Sequence, residues 1–103
     1  MTDLPNLSRS EGFDWDKGNV EKNWLRHRVA FYECEEAFFH EPVVFSNPQH
    51  SAAEPRYYAL GRTLEGRLLT ISFTMRRNRI RVISARDMSR KERRRYGKIE
   101  ENP

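Results

Sequence analysis

Between Arg56 and Arg86 the chain carries three strand-length runs, Arg56 to Thr63, Arg67 to Thr74 and Arg79 to Arg86, rich in aliphatic, aromatic and β-branched residues. Only Leu64-Glu65-Gly66 and Met75-Arg76-Arg77-Asn78 separate them. Parallel neighbours need a crossover of roughly a dozen residues or more, so connections this short leave an antiparallel meander. Val43-Val44-Phe45 is a further short strand, and the SNPQHSAAEP segment after it, without any apolar period, reads as an exposed loop. In the last strand Ile80, Val82 and Ser84 are expected on one face and Arg79, Arg81, Ile83 and Ala85 on the other, because strand side chains alternate. Arg86 shares the Ile80 parity at the strand end, where it can reach round the edge.

Helical signals flank this block. Asp16 is a good N-cap, and Val20, Trp24 and His27 follow at i, i+4 and i+7, with Leu25 beside them, predicting a helix to Arg28 that Gly18 weakens in its first turn. A second helix is predicted over Tyr32 to Phe39, with Phe31, Cys34, Ala37 and Phe38 on one face. Ser89-Arg90-Lys91-Glu92 has the capping-box pattern, predicting a last helix from Arg90 to Tyr96 that ends at Gly97. Two N-terminal helices, about four antiparallel strands and a C-terminal helix make an α+β fold, with helices on one sheet face and the other face available. Residues 1–12 mix Pro, Asn, Ser and Gly and are expected to be a flexible N-terminal arm, leaving residues 13–103 as a single domain. No internal repeat is present.

The 103 residues are enough for one domain only. With 37% hydrophobic and 33% charged residues, the core must lean on the twelve aromatics. No run reaches the ~18 apolar residues of a membrane span, and the N-terminus lacks the layout of a secretory signal, so a cytoplasmic location is expected. The single cysteine, Cys34, has no internal disulfide partner and reads as a small buried apolar residue. The formal charge of +4 is unevenly spread: residues 1–53 carry five Lys/Arg against nine Asp/Glu, residues 54–103 fourteen against six. Eleven basic residues, nine of them Arg, fall between Arg76 and Lys98, with only Asp87 and Glu92 opposing them. Such a cluster attracts phosphate backbones or an acidic protein partner, or is simply a solvated face.

Phe13-Asp14-Trp15-Asp16, Asn23, Arg26-His27, Val29 and Phe31 resemble the opening of BrnT toxins. Ala37-Phe38, Pro48, His50-Ser51, Glu54, Arg56, Leu60-Gly61 and Gly66-Arg67-Leu68-Leu69 continue the likeness. Arg81-Val82-Ile83-Ser84-Ala85-Arg86 and Ser89-Arg90-Lys91-Glu92-Arg93 complete it over about residues 13–96. Arg28 stands where the family usually has a glycine, and Asn19 where a lysine is frequent. The resemblance implies a RelE-like fold and a type II toxin–antitoxin toxin that inhibits growth by cleaving RNA. It also implies neutralisation by a BrnA-type antitoxin that dimerises, binds DNA and represses the operon, so that DNA is met only through the antitoxin. Symmetry then gives two toxin chains per antitoxin dimer.

Metal-independent RNA cleavage needs a base for the 2′-hydroxyl, cations for the phosphorane and an acid for the leaving oxygen. Histidine is the side chain type whose intrinsic pKa lies nearest neutrality, so His27 is the candidate base or acid, though its position beside Val20 and Trp24 equally suits a structural histidine. Arg81 and Arg86 are candidate phosphate clamps, and antiparallel pairing is expected to bring Arg67 to the same sheet edge as Arg86. Arg62, Arg79, Arg90 and Arg93 are candidate RNA-backbone contacts, with Arg94 beside them. Tyr96 either stacks a base or anchors its helix. His40 and His50, even with Glu41 or Glu54, lack metal-ligand spacing, so no metal or other cofactor is expected. A non-catalytic basic module acting in an antitoxin–DNA autorepression complex is the alternative; a stand-alone DNA-binding domain is disfavoured because no reading element stands out.

Overall fold

The computed structural model describes residues 4–47 and 54–101. The centre of the SNPQHSAAEP loop, including Pro48, His50 and Ser51, lies outside them. Three helices, α1 (Lys17–His27), α2 (Phe31–Phe39) and α3 (Arg90–Glu101), accompany four strands, β1 (Val43–Asn47), β2 (Arg56–Arg62), β3 (Leu68–Arg76) and β4 (Arg79–Asp87). The strands form one antiparallel meander in chain order. The expected α+β fold is therefore the observed one. Among the described residues no helix is long and apolar enough to cross a membrane.

β3 and β4 meet at Arg77-Asn78, both at positive φ (50° and 65°), so the four-residue connection tightens to two residues in the handedness that suits strand twist. A bulge follows in β4: Ser72 faces Ser84, but Phe73 faces Val82, leaving Ile83 as the extra residue. The expected alternation is overturned here. Ile80, Val82 and Ala85 all enter the core, while Arg81, Ser84 and Arg86 share the opposite face with Thr74, Ser72 and Thr70.

α1 answers that bulge. Asp16 and Asn19 cap the helix reciprocally, each side chain accepting the other's backbone N–H at 2.8 Å. Asn19 Nδ2 donates to the Val82 carbonyl (3.2 Å), Lys22 Nζ to the Ile83 carbonyl (3.1 Å), and Asn23 Oδ1 accepts the Ala85 N–H (3.1 Å). These side chains satisfy edge-strand groups that a buried apolar stripe would leave orphaned. The face expected to pack, Val20, Trp24 and His27, accordingly does not; Trp24 is 47% exposed and His27 is exposed.

α2 buries Cys34 and Ala37 against β2 and β3. It comes so close that a Cβ on Gly61 would lie 3.0 Å from the Ala37 carbonyl oxygen, so β2 requires glycine there. Phe38 meets Phe73 edge to face, extending an aromatic line from Phe13 to Tyr57 through this core. Leu7 packs against the same core, and Glu11 N–H donates to the Asn78 carbonyl at 2.7 Å, so residues 4–12 run beside the β3–β4 turn.

α3 lies on the other sheet face, correcting the expectation that this face is wholly open. Tyr96, Met88 and Leu60 form a second small core with Val43, Phe45 and Leu68. The helix continues through Gly97 to Glu101, since that docking outweighs the ~1 kcal/mol cost of a mid-helix glycine.

Candidate functional site

Because α3 covers only part of its sheet face, a groove of about 420 Å³ remains between the helix and the exposed rows of β2, β3 and β4. Leu60, Thr70 and Arg86 stand in one cross-strand row, and Tyr58, Ser72 and Ser84 in the next. Ser89, Lys91, Glu92 and Arg95 supply the helical wall, and Asn47 closes the β1 end. Arg95 lies over the Phe45 ring, 3.9 Å from its centroid, and Phe45 in turn meets Tyr58.

Arg86 is the cation on the groove floor. Its Nη1 and Nη2 donate to the two carboxylate oxygens of Glu92 at 2.8 and 3.0 Å, and Nη1 also donates to the Asp87 carbonyl. These bonds occupy the end of the fork and leave the Nε/Nη2 edge unpaired among the described residues, a geometry that fits two phosphate oxygens. Glu92 is pinned further by the Thr70 hydroxyl and the Ser89 N–H, the second completing the capping box read from the sequence. The Arg86 hydrogen bond, then those from Ser89 and Thr70, holds the Glu92 carboxyl down at about 2, so it stays ionised. The guanidinium is correspondingly held charged.

Arg67 does not join Arg86. Both stand at the same end of the sheet, but the register places them on opposite faces. Arg67 donates to Asp87 through Nε and Nη2 (2.7 and 3.2 Å), to Glu33 and the Arg28 carbonyl through Nη1, and to the His27 carbonyl through Nη2. All five N–H groups are thereby engaged, tying the end of α1 to α2 and β4. The hydrogen bond from Arg67 keeps the Asp87 carboxyl below its ordinary value.

The remaining candidates scatter. His27 ends α1 on the Arg67 side and does not line the groove; Arg67 grips its backbone, not its ring. Arg81 shares the groove's sheet face but turns to the edge, where Nη2 donates to Asp16 Oδ2 at 2.6 Å and Nη1 to the Asp14 carbonyl at 3.5 Å. Arg79 is exposed beside the β3–β4 turn, and Arg62 is exposed at the end of β2. Arg90 and Arg93 are exposed on α3 without lining the groove. Tyr96 is only 5% exposed and anchors α3, so its ring offers no stacking surface. Burial, with the nearby Glu100 carboxylate, pushes its phenol up to about 12.

The groove brings in residues the sequence did not mark as site candidates: Lys91 and Glu92, read only as part of a helix cap, and Arg95, Tyr58 and its polar neighbours. Alternation along β2 puts Arg56, Tyr58, Leu60 and Arg62 on one face, a usable signal; Ser84 was lost to the bulge. Among the described residues no cluster of three His, Cys, Asp or Glu side chains could hold a metal ion.

A family model described as the ribonuclease toxin BrnT of type II toxin–antitoxin systems matches residues 15–92. No curated protein matches the chain. The crystal structure of the Brucella abortus ribonuclease toxin BrnT is similar in fold, with a TM-score of 0.58 at 22% identity, covering 77% of this chain and 97% of that one.

Proposed function

The chain belongs to the BrnT family of ribonuclease toxins of type II toxin–antitoxin systems, and on that premise we propose that it is a metal-independent endoribonuclease whose site is the groove between α3 and the sheet. The observation that carries this reading is Arg86, which lines the groove and is held by Glu92 with its Nε/Nη2 edge unpaired among the described residues. A fork fixed before substrate arrives meets the charge that grows on the phosphorane without reorganising, the main way such a site lowers a barrier. Lys91 and Arg95 on the wall attract the RNA backbone. Arg67 and Arg81 serve as structural ties in this reading, since neither lines the groove, Arg67 has every N–H engaged and Arg81 turns to the sheet edge against Asp16. His27 takes no chemical step.

In the same reading the chain arrests growth, is neutralised by a BrnA-type antitoxin that covers the basic face, and reaches DNA only through that partner. Two toxin chains per antitoxin dimer follow if the antitoxin dimerises. Two observations favour the non-catalytic alternative: among the described residues no histidine lines the groove, and Glu92, held near 2, is a weak base.

Inducing the chain alone in bacteria, beside Arg86→Ala and His27→Ala, and following growth and total RNA separates the readings. Arrest with RNA loss is expected for the parent and for His27→Ala and is abolished in Arg86→Ala. A folded parent chain that leaves growth and RNA intact sinks the enzymatic reading.

A further inference from the structure

Next to Arg86 the groove changes chemistry. Tyr58, Ser72 and Ser84 stand in register on three adjacent strands, ~5 Å from neighbour to neighbour and one row, roughly 7 Å, from Arg86. Asn47 lines the same cavity from β1. The polar side-chain atoms of these four residues have no hydrogen-bond partner among the described residues. An uncharged row of free donors and acceptors beside an aromatic ring brings no cation to a phosphate and suits a flat, multiply hydrogen-bonding ligand. Hydroxyl and amide groups donate and accept, so they can meet either kind of group on a base edge. Exposed bases of single-stranded RNA are recognised by stacking on aromatic rings and by hydrogen bonds to their edges.

We propose that Tyr58, Ser72, Ser84 and Asn47 form a nucleobase subsite, which receives the base of a nucleotide whose phosphate lies on the free edge of Arg86. The proposal rests on the groove being an RNA site. The half-buried Tyr58 ring, backed by Phe45 at 5.6 Å, supplies the stacking platform. Arg95, stacked on Phe45, closes the side towards α3. Base preference then comes from this row, while Arg86, Lys91 and Arg95 supply affinity that ignores sequence.

The test measures binding of non-cleavable 2′-O-methyl tetranucleotides of A, C, G and U by fluorescence anisotropy. An abasic analogue with the same number of phosphates is the reference, and cleavage is followed separately on ordinary RNA. The parent chain should bind at least one base-bearing probe roughly tenfold or more tighter than the abasic one. Tyr58→Ala should erase that difference while keeping abasic binding, and Tyr58→Phe, which keeps the ring, should retain most of it. Equal binding of abasic and base-bearing probes by the parent overturns the subsite, and if RNA is still cleaved the ribonuclease reading survives alone. Base-dependent binding without cleavage leaves the subsite and removes the ribonuclease. If Tyr58→Phe loses the difference as fully as Tyr58→Ala, the ring is not a stacking platform and the proposal fails.

Discussion

Arg28 shows how one residue can carry a local conflict that the fold tolerates. It closes α1 at φ 54° and ψ 38°, the left-handed conformation glycine adopts freely and other residues at a cost of ~1–2 kcal/mol. The departure from the family's usual glycine, visible in the sequence, thus falls where backbone geometry favours glycine. Two contacts act the other way: the guanidinium lies over the Trp24 ring at 5.5 Å, and Arg67 accepts the position by donating to the Arg28 carbonyl at 2.7 Å. Only the first depends on the side chain, and an exposed cation–π contact contributes ~0.5–1 kcal/mol. Arg28→Gly should therefore stabilise the chain modestly, by about 0.5–1 kcal/mol, read as a raised urea midpoint with unchanged slope. A lowered midpoint would mean that the Trp24 contact outweighs the backbone strain.

At the scale of elements, what was legible depended on how local the determinant is. The meander was legible because Met75-Arg76-Arg77-Asn78 and Leu64-Glu65-Gly66 are too short for anything else, and α3 because Ser89 and Glu92 are three apart. The faces of α1 and β4 were not legible. A bulge at Ile83 has no local signature, and it shifts Arg86 from one parity to the other. That shift also decides the α1 interface, since the unladdered edge-strand Val82, Ile83 and Ala85 backbone groups select Asn19, Lys22 and Asn23 over the apolar stripe. The Arg67–Arg86 pairing failed for a related reason: proximity along the sheet end does not fix the face. How α3 docks leads to a pH prediction. Glu92 sits at about 2 in the folded chain against an ordinary 4.5, so its contribution is fully present above 4.5 and is lost as pH falls from 4.5 towards 2. Asp16, Asp87 and Glu54 are shifted in the same direction by Arg81, Arg67 and Arg76. The melting temperature should fall across that window, and less steeply in Glu92→Gln. Identical acid limbs in parent and variant would show that Glu92 is not tied to Arg86 in solution.

For the whole molecule, the charge imbalance between the two halves of the sequence becomes a difference between surfaces. The first half builds α1, α2 and β1, while the basic second half builds the groove and α3. Net charge overstates what RNA would meet, because several cations are already neutralised. Arg81 is 2.6 Å from Asp16 and Arg76 2.8 Å from Glu54, whereas Lys91 is an exposed wall residue of the groove without an ion pair among the described residues. Salt dependence comes from counterions that binding releases, so a cation with no carboxylate partner contributes more to it than a paired guanidinium, Arg86 included. Binding of a non-cleavable single-stranded RNA should weaken with salt along a straight log–log line, and Lys91→Ala should shallow its slope by roughly 0.7, one phosphate's worth for a single strand. Arg81→Ala should leave the slope nearly unchanged and instead lower the melting temperature, because it releases Asp16 at the start of α1. If Arg81→Ala shallows the slope as much as Lys91→Ala and melts like the parent, the ion pair with Asp16 does not hold Arg81 back from RNA, and the edge of β4 belongs to the binding surface.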